Sequence, residues 1–181
     1  MRPALSILAA AALAALAAGC GGDDERLSGD DLPRAPAALR LSSPAFIDGS
    51  RLRQRYTCDG AGDEPPVQAG TVPPSTSELV LIVSDPDGPG GTYVHVTRYG
   101  LSPRGDGSVD HGGSEGRNSA GNLGWTPPCP PKGDEPHRYV WSVYALRDPS
   151  GLDAGAEPAE VAGALRAGVL AGGTITARYG R

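Results

Sequence analysis

The chain reads as a mostly β protein, an antiparallel β-sandwich with one helix near its C-terminus and few short peripheral helices. Three observations predict this. Strongly strand-forming segments recur between Ser77 and Tyr179. The stretch before them, Leu39 to Pro74, is dense in turn signals (SSP, DGS, CDGAGDEPP, VPPS). Only one segment carries helical start, period and stop signals. Short strands separated by Gly/Pro/Asp clusters are the signature of an all-β architecture.

Ser77 to Ser84 is an apolar run of β-formers and is predicted as a buried strand. Thr92 to Leu101 alternates, with Tyr93, Val94, Val96 and Tyr99 as β-formers. Pro103 to Gly124 is Gly/Ser/Asn-rich and reads as a long irregular excursion, a kind of loop that is usually functional or disordered. RYVWSVYAL, Arg138 to Leu146, alternates most clearly. Tyr139, Trp141, Val143 and Ala145 fall on one face; Val140, Ser142, Tyr144 and Leu146 fall on the other. A helix is predicted over Pro158 to Leu170, with Pro158 at its first position and Gly172-Gly173 as its stop. Val161, Leu165 and Val169 lie four apart on one face. Thr174 to Tyr179 closes the sheet.

Residues 1–20 precede the domain. Arg2 is a charged n-region, and Leu5 to Ala18 is an apolar run too short to span a bilayer comfortably. Small residues then lead to Cys20. A Cys directly after a small residue resembles a bacterial lipobox, with Cys20 as the lipidated N-terminus. The alternative is an ordinary secretory signal cleaved nearby. Residues 21–37 are charged and poor in large apolar groups, and read as a flexible tether. Residues 38–181 form the domain.

The 181 residues carry three cysteines. With Cys20 lipidated, Cys58 and Cys129 remain as an even pair in an oxidising compartment. A bridge between them would close a loop of about 70 residues, which stabilises by roughly 4 kcal/mol in the chain-entropy model. Two free buried thiols are the alternative.

The formal net charge is −5, and −6 once Arg2 is removed with the leader. That opposes nucleic acid as a partner, because phosphate backbones require a basic face.

Two stretches carry candidate chemistry. In SDPDGPGGTYVH, Ser84 to His95, a buried strand ends in Asp85, a Pro/Gly turn holds Asp87, and a second strand presents His95. Asp87 reads equally as a brace of the turn, since Asp side chains bond nearby backbone N–H groups. In CPPKGDEPHRY, Cys129 to Tyr139, a proline-rigid loop leads to His137 and Tyr139, which share a strand face. His111 sits in a Gly-rich loop and reads as solvated. No H-E-x-x-H or G-x-S-x-G motif is present, so a metal site is not expected and a hydrolase using Asp and His, with or without metal, is left only as a third alternative.

At these residues the sequence resembles the phosphatidylethanolamine-binding protein family, also called Raf-kinase-inhibitor-like proteins, and its bacterial branch in particular. The resemblance is carried by YTCDG (Tyr56 to Gly60), LVLIVSDPDGPGG–TYVH, EGRN (Glu115 to Asn118), PCPPKG (Pro128 to Gly133), HRYVWSVYAL and the terminal TARYGR. Val96 follows His95 where the family often has Trp. The resemblance implies antiparallel sheets with peripheral helices and a small anion-binding pocket. It assigns Asp85, His95, His137 and Tyr139 to that pocket, Pro130 and Pro131 to its wall, and a supporting place to Asp87. It implies phosphate-like groups or phospholipid head groups as ligands, with no catalytic step and no cofactor. Some family members inhibit kinases or serine proteases, so a protease partner is the alternative expectation. The leader implies anchorage at the outer face of the cytoplasmic membrane of a bacterial envelope.

Overall fold

The strand Glu78–Asp85 is buried at all eight positions, and the domain is built outward from it. A computed structural model describes residues 32–109, 112–166 and 168–181. The leader with Cys20, most of the tether, and His111 lie outside the described residues.

In chain order the elements are β1 (Leu41–Ser42), a 3-10 turn (Gln54–Tyr56), β2 (Gln68–Ala69), β3 (Glu78–Asp85), β4 (Tyr93–Leu101), β5 (Ser114–Glu115), β6 (His137–Leu146), α1 (Pro158–Leu165) and β7 (Val169–Tyr179). Five strands form one antiparallel sheet in the order β5-β4-β3-β6-β7, and β1-β2 form a second, two-stranded one. Among the described residues, the expected antiparallel, sandwich-like fold with one α-helix is the one found. Its second layer is mostly turns laid across the main sheet rather than a full sheet.

The two faces of β6 divide as the alternation predicts. Tyr139, Trp141, Val143 and Ala145 join a core shared with Phe46, Leu52, Tyr56 and Val67 from the turn-rich N-terminal layer. Tyr144 and Leu146 face the other way and pack with Val161 and Leu165 of α1. Both faces of the sheet are thus covered, which is why β3 is apolar almost throughout. Phe46 lies on Trp141 with ring centroids 4.6 Å apart.

The C-terminal elements correct the sequence reading. The helix starts at Pro158, where the Glu157 N–H donates to the Glu160 carboxylate at 2.8 Å, but it ends at Leu165. Val169 is the first residue of β7, which runs eleven residues rather than the predicted six. The 3.6-residue spacing of Val161, Leu165 and Val169 persists by coincidence, because all three touch the same cluster. Ten paired positions against β6 outweigh the local helical pattern, in a segment whose glycines favour helix poorly.

Gly172 and Gly173 are not a helix stop. They lie inside β7, where the segment 37–39 crosses. Leu39 N–H donates to Gly172 O at 2.8 Å, and Gly172 N–H donates to Ala37 O at 2.9 Å. A Cβ on Gly173 would stand 2.1 Å from Leu39 O, so only glycine allows this approach. Leu32 also packs on the α1 side of the sheet. Ordered contacts therefore reach upstream of residue 38.

The excursion after β4 is not wholly irregular. β5 pairs Glu115 with Arg98, and Arg98 is nearly buried between Glu64 (2.6 Å) and Glu115 (3.1 Å). Asn118 of the EGRN motif organises the segment after β5. Its amide donates to Gly124 O and Thr126 Oγ1, and its Oδ1 accepts the N–H groups of Ala120 and Asn122. This sets the path of the chain toward the site.

Candidate functional site

Asp85 is the last residue of β3 and is 5 % exposed. Its Oδ1 accepts the Asp87 N–H at 2.9 Å, which shapes the turn. Its Oδ2 lies 2.7 Å from Nδ1 of His137, the first residue of β6. A carboxylate accepts, so the Nδ1–H donates. The other ring nitrogen, Nε2, points toward Asp134, 3.8 Å away and at the surface.

His95 reaches the same region through a break in strand register. Val83 pairs with Val96 and Ser84 with Val94, leaving His95 as an extra residue on β4. Such a bulge bends the strand and re-aims a side chain. The His95 Nδ1 lies 2.6 Å from the Thr126 carbonyl oxygen, and Thr126 N–H donates back to His95 O at 3.0 Å. A carbonyl can only accept, so Nδ1 carries the proton and the neutral ring presents an Nε2 lone pair. That Nε2 is buried without a partner among the described residues. Burial holds the His95 pKa below its ordinary value, against the opposing pull of Thr126 and Asp85.

Tyr139 stands against His95, ring centroids 5.3 Å apart and edge-on. Its hydroxyl is likewise buried without a partner among the described residues. Burial, reinforced by Asp85, raises its pKa far above the ordinary range, so it remains a donor. Tyr93 and Trp125 flank the imidazole at 4.8 and 5.8 Å.

The proline loop borders this cluster. Pro128 and Pro130 are buried, whereas Pro131 is exposed. Cys58 and Cys129 form a disulfide across a sequence separation of 71 residues. Cys58 N–H donates to Pro128 O at 3.0 Å, and Trp125 Nε1 donates to Gly62 O at 3.0 Å, so the loop is tied to the N-terminal layer on both sides. The terminal motif closes the same corner: Tyr179 OH donates to Asp59 at 2.6 Å, and Arg181 also holds that carboxylate.

Asp87 lies outside the cluster. Its carboxylate accepts from the Arg138 backbone N–H at 2.8 Å and from the Arg138 guanidinium at 2.6 Å. The guanidinium holds the Asp87 pKa down to about 2. Asp87 thereby ties the β3–β4 turn to β6. An open groove lined by Asp87, Asp134, Glu135, Pro136, His137, Arg138 and Arg178 runs beside the cluster.

Asp85, His95, His137 and Tyr139 therefore converge, from three strand ends, on one buried polar spot. Thr126, Tyr93 and Trp125 complete its surroundings and were not singled out by the sequence reading. The only signal for them is that TPPC, which begins at Thr126, comes directly after Trp125; nothing local shows that Thr126 meets His95 from 31 residues away.

An antiparallel sheet with peripheral turns and a rim cluster of one Asp, two His and one Tyr places the chain in a defined class of β proteins. The chain belongs to the phosphatidylethanolamine-binding protein family, whose model matches residues 42–180. It is 37 % identical over 177 residues to LppC of Mycobacterium tuberculosis, a candidate lipoprotein by its name, covering 87 % of this chain and 88 % of that one. The crystal structure of CT736 from Chlamydia trachomatis, described as a phosphatidylethanolamine-binding protein homologue, superposes with a TM-score of 0.74 at 33 % identity, over 80 % of this chain and 98 % of that one. Escherichia coli YbcL, described as a member of the mammalian family, gives a TM-score of 0.70 at 29 % identity, over 80 % and 99 %.

Proposed function

We propose that the protein is an exported, lipid-anchored binding protein that takes a small phosphate-bearing ligand, such as a phospholipid head group, at the Asp85–His95–His137–Tyr139 cluster, without a catalytic step. One observation carries the reading. Two buried polar atoms, His95 Nε2 and Tyr139 OH, belong to facing rings and lack partners among the described residues. Buried polar groups are nearly always hydrogen-bonded in proteins, so a pair of orphans at a strand rim points to a ligand that completes them. Tyr139 OH can donate to a phosphate oxygen. Asp85 repels a bare anion but suits a head group that also carries an ammonium, and it orients His137 in either case. The similarity to LppC supports the lipid anchor at Cys20.

Calorimetry with inorganic phosphate and phosphoethanolamine tests the site. Binding that weakens at least tenfold in a folded His95→Ala variant supports it. Absence of binding, or binding indifferent to His95→Ala, refutes it. Metabolic labelling with a fatty acid tests the anchor: label must vanish in Cys20→Ser.

A further inference from the structure

The Cys58–Cys129 disulfide joins two exposed residues whose surroundings differ. Cys129 lies between Pro128 and Pro130 in a proline-rich stretch, so its backbone is stiff. Arg181 Nη1 stands 3.4 Å from Cys129 Sγ. Gly133 N–H donates to Arg181 O at 3.3 Å and keeps the arginine in place. Lys132 brings a second cation to this corner, where it acts on Asp59. Asp59 directly follows Cys58 in the chain and faces the Arg181 guanidinium at 2.9 Å, offsetting part of its charge. One end of the bridge thus has a guanidinium beside its sulfur, and the other has a carboxylate as its chain neighbour.

Thiol–disulfide exchange depends on which sulfur leaves more readily. A guanidinium beside a sulfur stabilises its thiolate, so Cys129 is the better leaving group and Cys58 the sulfur attacked. The bridge also bears on the buried cluster. Thr126 stands three residues before Cys129, with Pro127 and Pro128 between them. Its carbonyl takes the His95 Nδ1–H at 2.6 Å, and its N–H donates to His95 O at 3.0 Å. Without the disulfide, the bonds from Cys58 N–H to Pro128 O and from Trp125 Nε1 to Gly62 O are left to tie this loop to the N-terminal layer. Segments held by a few hydrogen bonds near the surface open at a lower free energy than the core.

We propose that Cys58–Cys129 is a thiol–disulfide exchange site for a dithiol reductant, attacked at Cys58, and that its reduction loosens the loop whose Thr126 carbonyl fixes His95. An incoming thiolate bonds to Cys58 Sγ as the Cys58–Cys129 bond breaks, and the electron pair leaves on Cys129 Sγ beside Arg181. The reductant's second thiolate then attacks its own sulfur in the mixed disulfide and displaces Cys58. Two electrons pass from the dithiol to the cystine, and the protons shed by the dithiol are taken up by the two cysteines. The redox state of the surroundings thereby sets how firmly the His95 ring is held. The inference does not rest on a ligand at the cluster, since every readout is made on the free protein.

The test uses the full chain with Cys20→Ser, which leaves this pair as its only cysteines. Brief exposure to glutathione, with alkylation of the thiol released, should place glutathione on Cys58 and the alkyl group on Cys129, read by peptide mass. At low salt, Arg181→Gln should slow reduction by dithiothreitol roughly twofold to fivefold, the effect of one exposed charge pair. Asp59→Asn should speed it, because the guanidinium is then no longer offset. A merely structural role would predict faster reduction in both variants, since both loosen the corner. Arg104→Gln, an exposed arginine in another loop, should leave the rate unchanged. In the reduced parent, NMR should show faster solvent exchange of His95 Nδ1–H and of the Thr126 amide than in the oxidised parent. The proposal is overturned if glutathione is found on Cys129, if Arg181→Gln is reduced as fast as the parent or faster, or if Asp59→Asn is reduced more slowly. It is also overturned if Arg104→Gln slows reduction as much as Arg181→Gln, or if His95 Nδ1–H exchanges equally in both redox forms.

Discussion

Asp85 holds His137 through a 2.7 Å bond between two side chains that are 7 % and 6 % exposed. The same carboxylate also accepts the Asp87 N–H. Two acceptor oxygens serve two donors, and asparagine has only one. Asp85→Asn must therefore either release the turn or face His137 Nδ1 with an amide donor, forcing the proton to Nε2. An unsatisfied buried donor costs about 1–3 kcal/mol. Urea denaturation should show a loss of that size, and nitrogen-resolved NMR should show the His137 tautomer change. An unchanged midpoint together with an unchanged tautomer would contradict the assigned bond.

His95 makes stability depend on pH in a defined direction. Its folded-state pKa lies below its ordinary value of 6.5, because burial penalises the charged ring. The unfolded chain then binds more protons between the two values. Stability should be full above about pH 6.5 and fall as the pH drops toward the folded-state value. His95→Gln should flatten that part of the curve. The same geometry links ligand to proton. With Nδ1–H committed to Thr126, an unprotonated phosphate oxygen can bond Nε2 only if the ring takes up a proton, whereas a P–OH donates to Nε2 directly. Binding of a phosphodiester head group, which has no P–OH, should therefore absorb up to one proton near neutral pH, measured by calorimetry in buffers of different ionisation enthalpy. A ligand that donates to Nε2 would show none.

How much of this was legible depends on the range over which each signal acts. The faces of β6 could be read from Tyr139 to Leu146, because alternation is local and both faces are buried. The end of α1 could not. Val169 fits the helical period, and only the long partnership of β7 with β6 overrules it. Asp85 and His137 were legible as residue types at the rims of strands. The role of His95 was only half legible, since the bulge that aims it depends on the pairing of Val83 and Ser84 with β4. Thr126 was illegible, because it acts through a backbone carbonyl that any residue could supply. Gly172-Gly173 was misread because a close backbone crossing and a helix stop use the same residue.

The disulfide should matter to stability and to the loop it secures. Its 71-residue separation gives about 4–4.5 kcal/mol by loop-closure entropy. Both cysteines are exposed, so mild thiol reductants reach them. Denaturation with and without dithiothreitol, and of Cys58→Ser/Cys129→Ser, should show a loss of that order. Arg181 Nη1 lies 3.4 Å from Cys129 Sγ and holds Asp59, so part of the corner persists after reduction. Equal stability of both redox forms would refute the bridge.

Gly173→Ala tests the crossing of the N-terminal segment over β7. The added Cβ meets Leu39 O, a backbone atom that cannot swing away. Overpacking of this kind costs about 1–3 kcal/mol. The loss should come with faster amide exchange at Leu39 and Gly172, whose bonds anchor the crossing. Gly163→Ala, on α1 with open space around it, should be neutral or stabilising by up to about 1 kcal/mol.

Tyr139→Phe separates a ligand-binding hydroxyl from a structural one. In the free protein the hydroxyl is buried and bonds nothing among the described residues. Removing an unsatisfied buried polar group relieves a desolvation cost of about 1–3 kcal/mol, so the variant should be at least as stable as the parent in urea. If the hydroxyl donates to a bound phosphate, the same change should weaken phosphoethanolamine binding by roughly tenfold or more, since one hydrogen bond to a charged group contributes at least about 1.5 kcal/mol. Opposite signs for stability and affinity are the expected outcome. A variant that loses stability and affinity together would mean that Tyr139 OH has a structural partner, and the case for a ligand at this spot would lose half its support.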